Sequence, residues 1–119
     1  MLPLARHTLV EFHGCDPALL RKASALRPLV LAAVRAGHGT IVTDIFHDFS
    51  PHGASGVVVI AESHVAIHTW PEHRFAAVDI FACSASLDPQ AIVASLQIAF
   101  CAEEVSSQTI DRGTPRPST

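Results

Sequence analysis

The chain has no tyrosine, one tryptophan and one methionine among its 119 residues. Aromatic residues amount to only 6%, so each is a candidate for core packing before it is a candidate for binding. Charge is scarce too: Asp, Glu, Lys and Arg make up 16%, against about 25% in an ordinary soluble domain. A chain this poor in charge is expected to hide surface against a partner. The net charge of −3 and the pI near 6.2 argue against nucleic-acid binding, which calls for a clustered basic face. No apolar run approaches the ~18 residues of a membrane helix, the longest being 29–34 and 57–61. No secretory signal is visible. Three cysteines, an odd number without paired spacing, fit a reducing compartment better than a disulfide scaffold. One cytoplasmic domain with no membrane partner is the expectation.

Turn signals and periodicity divide the chain into short elements. Residues 6–13 alternate and read as a strand. Asp16-Pro17 is a helix start, and Pro28 splits the next segment into a helical turn at 17–22 and a helix over 25–36, ended by Gly37. The β-branched run 40–46 predicts a strand, and 47–53 a loop presenting Phe49. Strands are predicted at 56–60, 65–70 and 76–81. Asp88-Pro89 opens a second helix, 90–101, with Ile92, Val93, Leu96 and Phe100 on one side, and 104–110 is a last strand. Close succession of strands predicts an α+β fold, a two-layer sandwich of an antiparallel sheet with helices on one face. The domain is expected to span 1–113, with 114–119 a disordered tail.

Chemistry-bearing residues concentrate between Ala61 and Cys83. Eight histidines invite a metal reading led by His64 and His68. On a strand rising ~3.3 Å per residue those two lie about 13 Å apart, too far to share an ion, so no metal is expected. Taken singly, Ser63, His64 and His68 are polar residues on a sheet, and Cys83 is a small buried hydrophobe.

Taken together they are more specific. Glu62-Ser63-His64, then His68-Thr69-Trp70-Pro71-Glu72, then Ala76-Ala77-Val78-Asp79-Ile80-Phe81-Ala82-Cys83 resembles the core of the bacterial pyruvoyl-dependent S-adenosylmethionine decarboxylases. The likeness extends to Gly53-Ala54-Ser55-Gly56, to Thr40-Ile41-Val42-Thr43 with Phe46, His47 and Phe49, and to Arg6-His7 with Glu11-Phe12. It implies a proenzyme that cuts itself between Glu62 and Ser63 into chains 1–62 and 63–119, Ser63 becoming a covalent pyruvoyl group that forms a Schiff base with the substrate amine. By the same resemblance His68 is the base in processing and Ser55 the hydroxyl that assists it, while Glu62 supplies the carbonyl attacked. Cys83 is implied as proton donor in decarboxylation, which a thiol suits because it is mostly protonated at pH 7. Phe49, Trp70 and Glu72 fall where the family binds the adenosyl part of the substrate.

The chain departs from the family at Pro71-Glu72-His73-Arg74-Phe75, where Pro-Glu-Tyr-Gly-Tyr is usual, and at Cys83-Ser84, where Cys-Gly is usual. Arg74 brings a cation near a pocket meant for a sulfonium. Decarboxylation of ornithine or arginine by the same machinery is the alternative, and a non-catalytic regulatory subunit is a third reading. Ser63 and His68, five apart on a strand, leave opposite faces about 16 Å from each other. A homodimer with shared sites, His68 of one copy serving Ser63 of the other, is therefore expected.

Overall fold

The computed structural model describes residues 2–117. Six strands form one sheet: β1 (Ala5–His13), β2 (Ile41–Asp48), β3 (Ala54–Ile60), β4 (Ser63–Trp70), β5 (Phe75–Ala82) and β6 (Glu104–Arg112). Their order is β2-β3-β4-β5-β1-β6, and every pairing is antiparallel. Two helices, α1 (Ala23–Ala36) and α2 (Pro89–Phe100), complete the domain. The α+β sandwich expected from the sequence is the observed architecture.

Register shows why the helices share one face. Val58 pairs with Val65, Val65 with Ile80, Ile67 with Val78, Val78 with Val10 and Ala76 with Phe12. Alternate residues of a strand share a face, so these side chains form one continuous apolar surface. All of them are buried in the core that includes Leu26, Val30 and Val34 of α1 and Ile92, Leu96 and Phe100 of α2. The other face carries no helix and leaves apolar side chains exposed: Ile45 is 72%, Val57 37% and Val59 41% exposed, and Ile45 pairs directly with Val57.

Element ends differ from the sequence reading in instructive ways. The predicted turn at 17–22 shrinks to a 3-10 turn, Pro17–Leu19, because the Asp16 carboxylate caps only Ala18 N–H, at 3.0 Å. α1 begins at Ala23, two residues earlier than predicted, so Pro28 lies beyond its first turn. Pro28 is exposed on α1, so the hydrogen bond its missing N–H forgoes is on the solvent side of the helix. No local side chain caps α1; instead Ala23 N–H donates to Asp48 Oδ1 at the end of β2, 2.6 Å away. α2 starts as predicted, with Asp88 Oδ1 accepting from Ala91 N–H at 3.1 Å. Residues 114–117 carry no regular structure, and the end of the expected tail, Ser118-Thr119, lies outside the described residues.

Candidate active site

The predicted site residues fall into two groups at opposite ends of β4. One group is built around the Glu62–Ser63 bond. Ser63 opens β4 with φ +147°, a backbone conformation that non-glycine residues rarely adopt. The Glu62 carbonyl accepts a hydrogen bond from Cys83 N–H at 2.9 Å. The Glu62 carboxylate is held as well, by Thr40 N–H at 2.9 Å and the Thr40 hydroxyl at 3.2 Å. Those bonds to the charged form, the backbone one foremost, hold its pKa below the usual carboxylate range. Glu62 is thus held at two points, its carbonyl by the residue after β5 and its carboxylate by the residue before β2.

Neighbouring side chains on a regular strand leave opposite faces, yet Ser63 Oγ lies 3.4 Å from His64 Nδ1. The irregular φ at Ser63 breaks the alternation there. The His64 ring lies parallel to Phe81, its cross-strand partner, with centroids 5.3 Å apart and planes at 5°. Phe81 also meets His7 edge-on at 5.3 Å and carries the Arg112 guanidinium 5.6 Å above its ring. Cys83 is exposed and borders a cleft of about 650 Å³ walled by Leu2, Leu4, Arg6, Thr8 and Thr109.

The second group sits where β4 ends. Ser55 is directly opposite His68 in the β3–β4 register, so the two share the bare face of the sheet. His68 lies 6.4 Å from Trp70, which lies 5.5 Å from Phe75. Phe49 is half exposed at the tip of a turn that Phe49 N–H closes onto the Gly53 carbonyl at 2.8 Å, with Gly53 at φ +98°. Gly56 is required because any Cβ there would enter the Phe46 ring. Glu72 stands beside His52, Oε2 to Nε2 at 3.5 Å, in a small cavity shared with Arg21 and Lys22.

Between the two groups β4 runs without a break. Five residues at ~3.3 Å each put Ser63 and His68 about 16 Å apart, so one chain does not bring them together. Thr69, inside the His68-Thr69-Trp70 motif, faces the core instead: its hydroxyl donates to the Leu20 carbonyl at 2.8 Å and accepts from Ala54 N–H at 2.9 Å.

Arg74 holds φ +52°, and its Nε donates to the Cys15 carbonyl at 2.9 Å, fastening the turn before β5 to the segment just after β1. Burial, only partly offset by the Arg74 charge, pushes the Cys15 thiol up to about 11. Sequence reasoning missed Thr40, the Leu2–Leu4 wall and the contact between His64 and Ser63. The first two are distant in sequence from the motif, while the third was visible as bare adjacency.

Comparison with known proteins places this arrangement. Residues 6–113 match the family described as S-adenosylmethionine decarboxylase. The S-adenosylmethionine decarboxylase proenzyme of Acidithiobacillus ferrooxidans is 42% identical over 113 residues, covering 95% of this chain and 85% of that protein. The proenzyme of Thermotoga maritima is 42% identical, over 95% of this chain and 87% of its own. In the crystal structure of the adenosylmethionine decarboxylase from Aquifex aeolicus the fold superposes with a TM-score of 0.87 at 30% identity, covering 100% of this chain and 98% of that one. With a match running almost from end to end, the chain belongs to the S-adenosylmethionine decarboxylase family.

Proposed function

We propose that this protein cuts itself between Glu62 and Ser63, converts Ser63 to a pyruvoyl group and uses it to decarboxylate S-adenosylmethionine, releasing carbon dioxide and supplying aminopropyl groups for spermidine synthesis. The observation that carries this reading is the state of the Glu62–Ser63 bond: φ +147° at Ser63, with the Glu62 carbonyl on Cys83 N–H. A strained residue whose preceding carbonyl already has a donor is prepared for attack by its own hydroxyl. The same N–H stabilises the oxyanion as charge develops there.

Ser63 stands beside the cleft that Cys83 borders, so a pyruvoyl group formed from it fits the residues present. Once in place, that group supplies a carbonyl that engages the substrate amine and accepts the electron pair as carbon dioxide leaves. The exposed Cys83 thiol delivers the proton to the substrate carbon. Phe49 and Trp70 offer faces to adenine and to the sulfonium cation, and Glu72 accepts from the ribose hydroxyls. Relatives named for S-adenosylmethionine favour that substrate over ornithine or arginine.

Phe49, Trp70, Glu72, Ser55 and His68 lie at the wrong end of β4 to serve their own Ser63, so the working unit is a homodimer with shared sites. Its interface is the helix-free sheet face, which leaves Ile45, Val57, Val59 and Trp70 exposed. None of the helices described is long and apolar enough to cross a membrane, and the three free cysteines suit the cytoplasm.

Intact mass tests the cleavage. Purified protein should contain two chains, 1–62 and a second that starts with a pyruvoyl group and resists N-terminal sequencing. A full-length chain with an ordinary serine after prolonged incubation overturns the reading. Carbon dioxide released from carboxyl-labelled ornithine or arginine, and none from S-adenosylmethionine, overturns the substrate.

A further inference from the structure

Self-cleavage needs protons moved at two different atoms. The first leaves Ser63 Oγ as that oxygen attacks the Glu62 carbonyl; the second leaves Ser63 Cα when the resulting ester is eliminated. His68 lies about 16 Å along β4 from both within one chain, and in the dimer it has one position relative to the partner's Ser63. An imidazole is already at the first atom. His64 Nδ1 is 3.4 Å from Ser63 Oγ, within the looser range that catalytic contacts show before the reaction.

We infer that His64 is the base that starts self-cleavage, taking the Ser63 hydroxyl proton within its own chain. The inference rests on the cleavage proposed above and adds a catalytic residue to it. The parallel stack on Phe81, at 5.3 Å and 5°, fixes the ring plane, and the cross-strand partners Val59 and Phe81 flank it on both sides. With its hydrogen on Nε2, the imidazole presents Nδ1 to Oγ as an acceptor.

The step balances without any added reagent. Oγ–H gives its proton to Nδ1, and the Oγ–C bond forms on the Glu62 carbonyl carbon, whose oxygen takes the negative charge on Cys83 N–H. That oxyanion collapses, the C–N bond breaks, and the proton held by His64 passes to the departing Ser63 nitrogen. The product is an ester with a free amine, and His64 is neutral again. Elimination then removes the Cα proton and releases Glu62 as a carboxylic acid. The aminoacrylyl group left on the second chain tautomerises, takes up one water and loses ammonia.

The division of labour has a readout apart from decarboxylation. His64→Phe keeps a ring on Phe81 but has no base; His64→Gln keeps a hydrogen-bonding group that cannot take the proton. Both full-length variants, checked for native fold by circular dichroism, should cleave ~10²–10⁴-fold more slowly than wild type. The remaining intact chain should resist hydroxylamine, because no ester has formed. His64→Ala should regain cleavage when imidazole is added, and this rescue carries the test should a bulkier variant fail to fold. Either variant cutting at the wild-type rate, or intact chain that hydroxylamine splits at residue 62, overturns the inference. Wild type that never cleaves removes the proposed function itself, whereas wild type and His64 variants cleaving equally remove only the role of His64.

Discussion

Ser63 and His68, five positions apart toward opposite ends of β4, stand in surroundings built for different work. At Ser63 the backbone is strained, the preceding carbonyl is pinned by Cys83 N–H and the preceding carboxylate by Thr40. At His68 the strand is regular, Trp70 beside it is half-exposed and leads on to Phe75, and Phe49 is half-exposed at the turn before β3. Breaking a bond calls for rigidity around that bond, while gripping a flat ring calls for open aromatic faces. One strand holds both kinds of half-site and cannot fold one onto the other. Two copies related by a two-fold axis can bring them together, and that makes the contrast testable.

The largest effect comes from separating the halves by mutation. Ser63→Ala and His68→Ala chains are each expected to stay whole when produced alone. Co-expressed, they should form mixed dimers in which the His68→Ala chain is cut by its partner's histidine, visible as new fragments by intact mass. Subunits that exchange, shown by differential tagging, with neither chain ever cut would make the two ends serve one chain only.

Cys83 divides its own duties between the two stages. In the proposed function its backbone N–H, which binds the Glu62 carbonyl, serves cleavage, and its thiol serves the substrate afterwards. Cys83→Ala keeps the N–H, so cleavage should proceed within a few-fold of wild type while turnover falls ~10²–10⁴-fold, the range of a lost proton donor. Loss of both together would show that the side chain, not the backbone, positions the bond. Cys15 supplies a control: buried and with its thiol pushed up to about 11, it should stay unmodified by iodoacetamide at pH 8 while the exposed Cys101 reacts.

Period-two alternation exposed β1 because one of its faces is buried and the other is not, and Asp-Pro located the start of α2 because its cap is local. The start of α1 was illegible for the opposite reason, its capping carboxylate being Asp48, 25 residues away. The site motif was legible as a series of residues. Its geometry was not: the positive φ of Ser63 and the Arg74 clamp on Cys15 arise from contacts that close only in the folded chain. Thr69 shows the converse, a residue inside a chemical motif whose hydroxyl is committed to the core.

The segment of β4 between its two ends should be purely structural. Ile67 is buried on the core face of β4, next to His68 in sequence, and Ile67→Ala should cost ~2–5 kcal/mol of stability by leaving a cavity. Measured by denaturant unfolding in a Ser63→Ala background, which keeps the chain whole, the loss should appear with an unchanged m-value. Cleavage of the Ile67→Ala chain with Ser63 intact should continue at temperatures where it remains folded; arrest in a folded protein would mean that strain is transmitted along the strand.

The smallest effect concerns how firmly the cleavage end is held. Glu62 has its folded-state pKa lowered beneath the ordinary carboxylate value, chiefly by the Thr40 N–H. A depressed carboxyl pKa contributes stability that is present above the unfolded value and is lost as pH falls through the folded one. Glu62→Gln keeps an acceptor for Thr40 N–H but removes its charge. In a Ser63→Ala background the glutamate protein should therefore melt slightly higher than the glutamine protein at pH 7, and the gap should close as pH falls below the ordinary glutamate range. Asp44, which Arg27 also holds low through a hydrogen bond of 2.7 Å, titrates in both proteins and cancels from the difference. Because the electrophile is the Glu62 carbonyl and not its carboxylate, Glu62→Gln with Ser63 intact should still cut itself, only more slowly. A melting gap that stays constant from pH 7 to pH 3 would mean that charge on Glu62 does not anchor the bond, leaving Cys83 N–H as its only restraint.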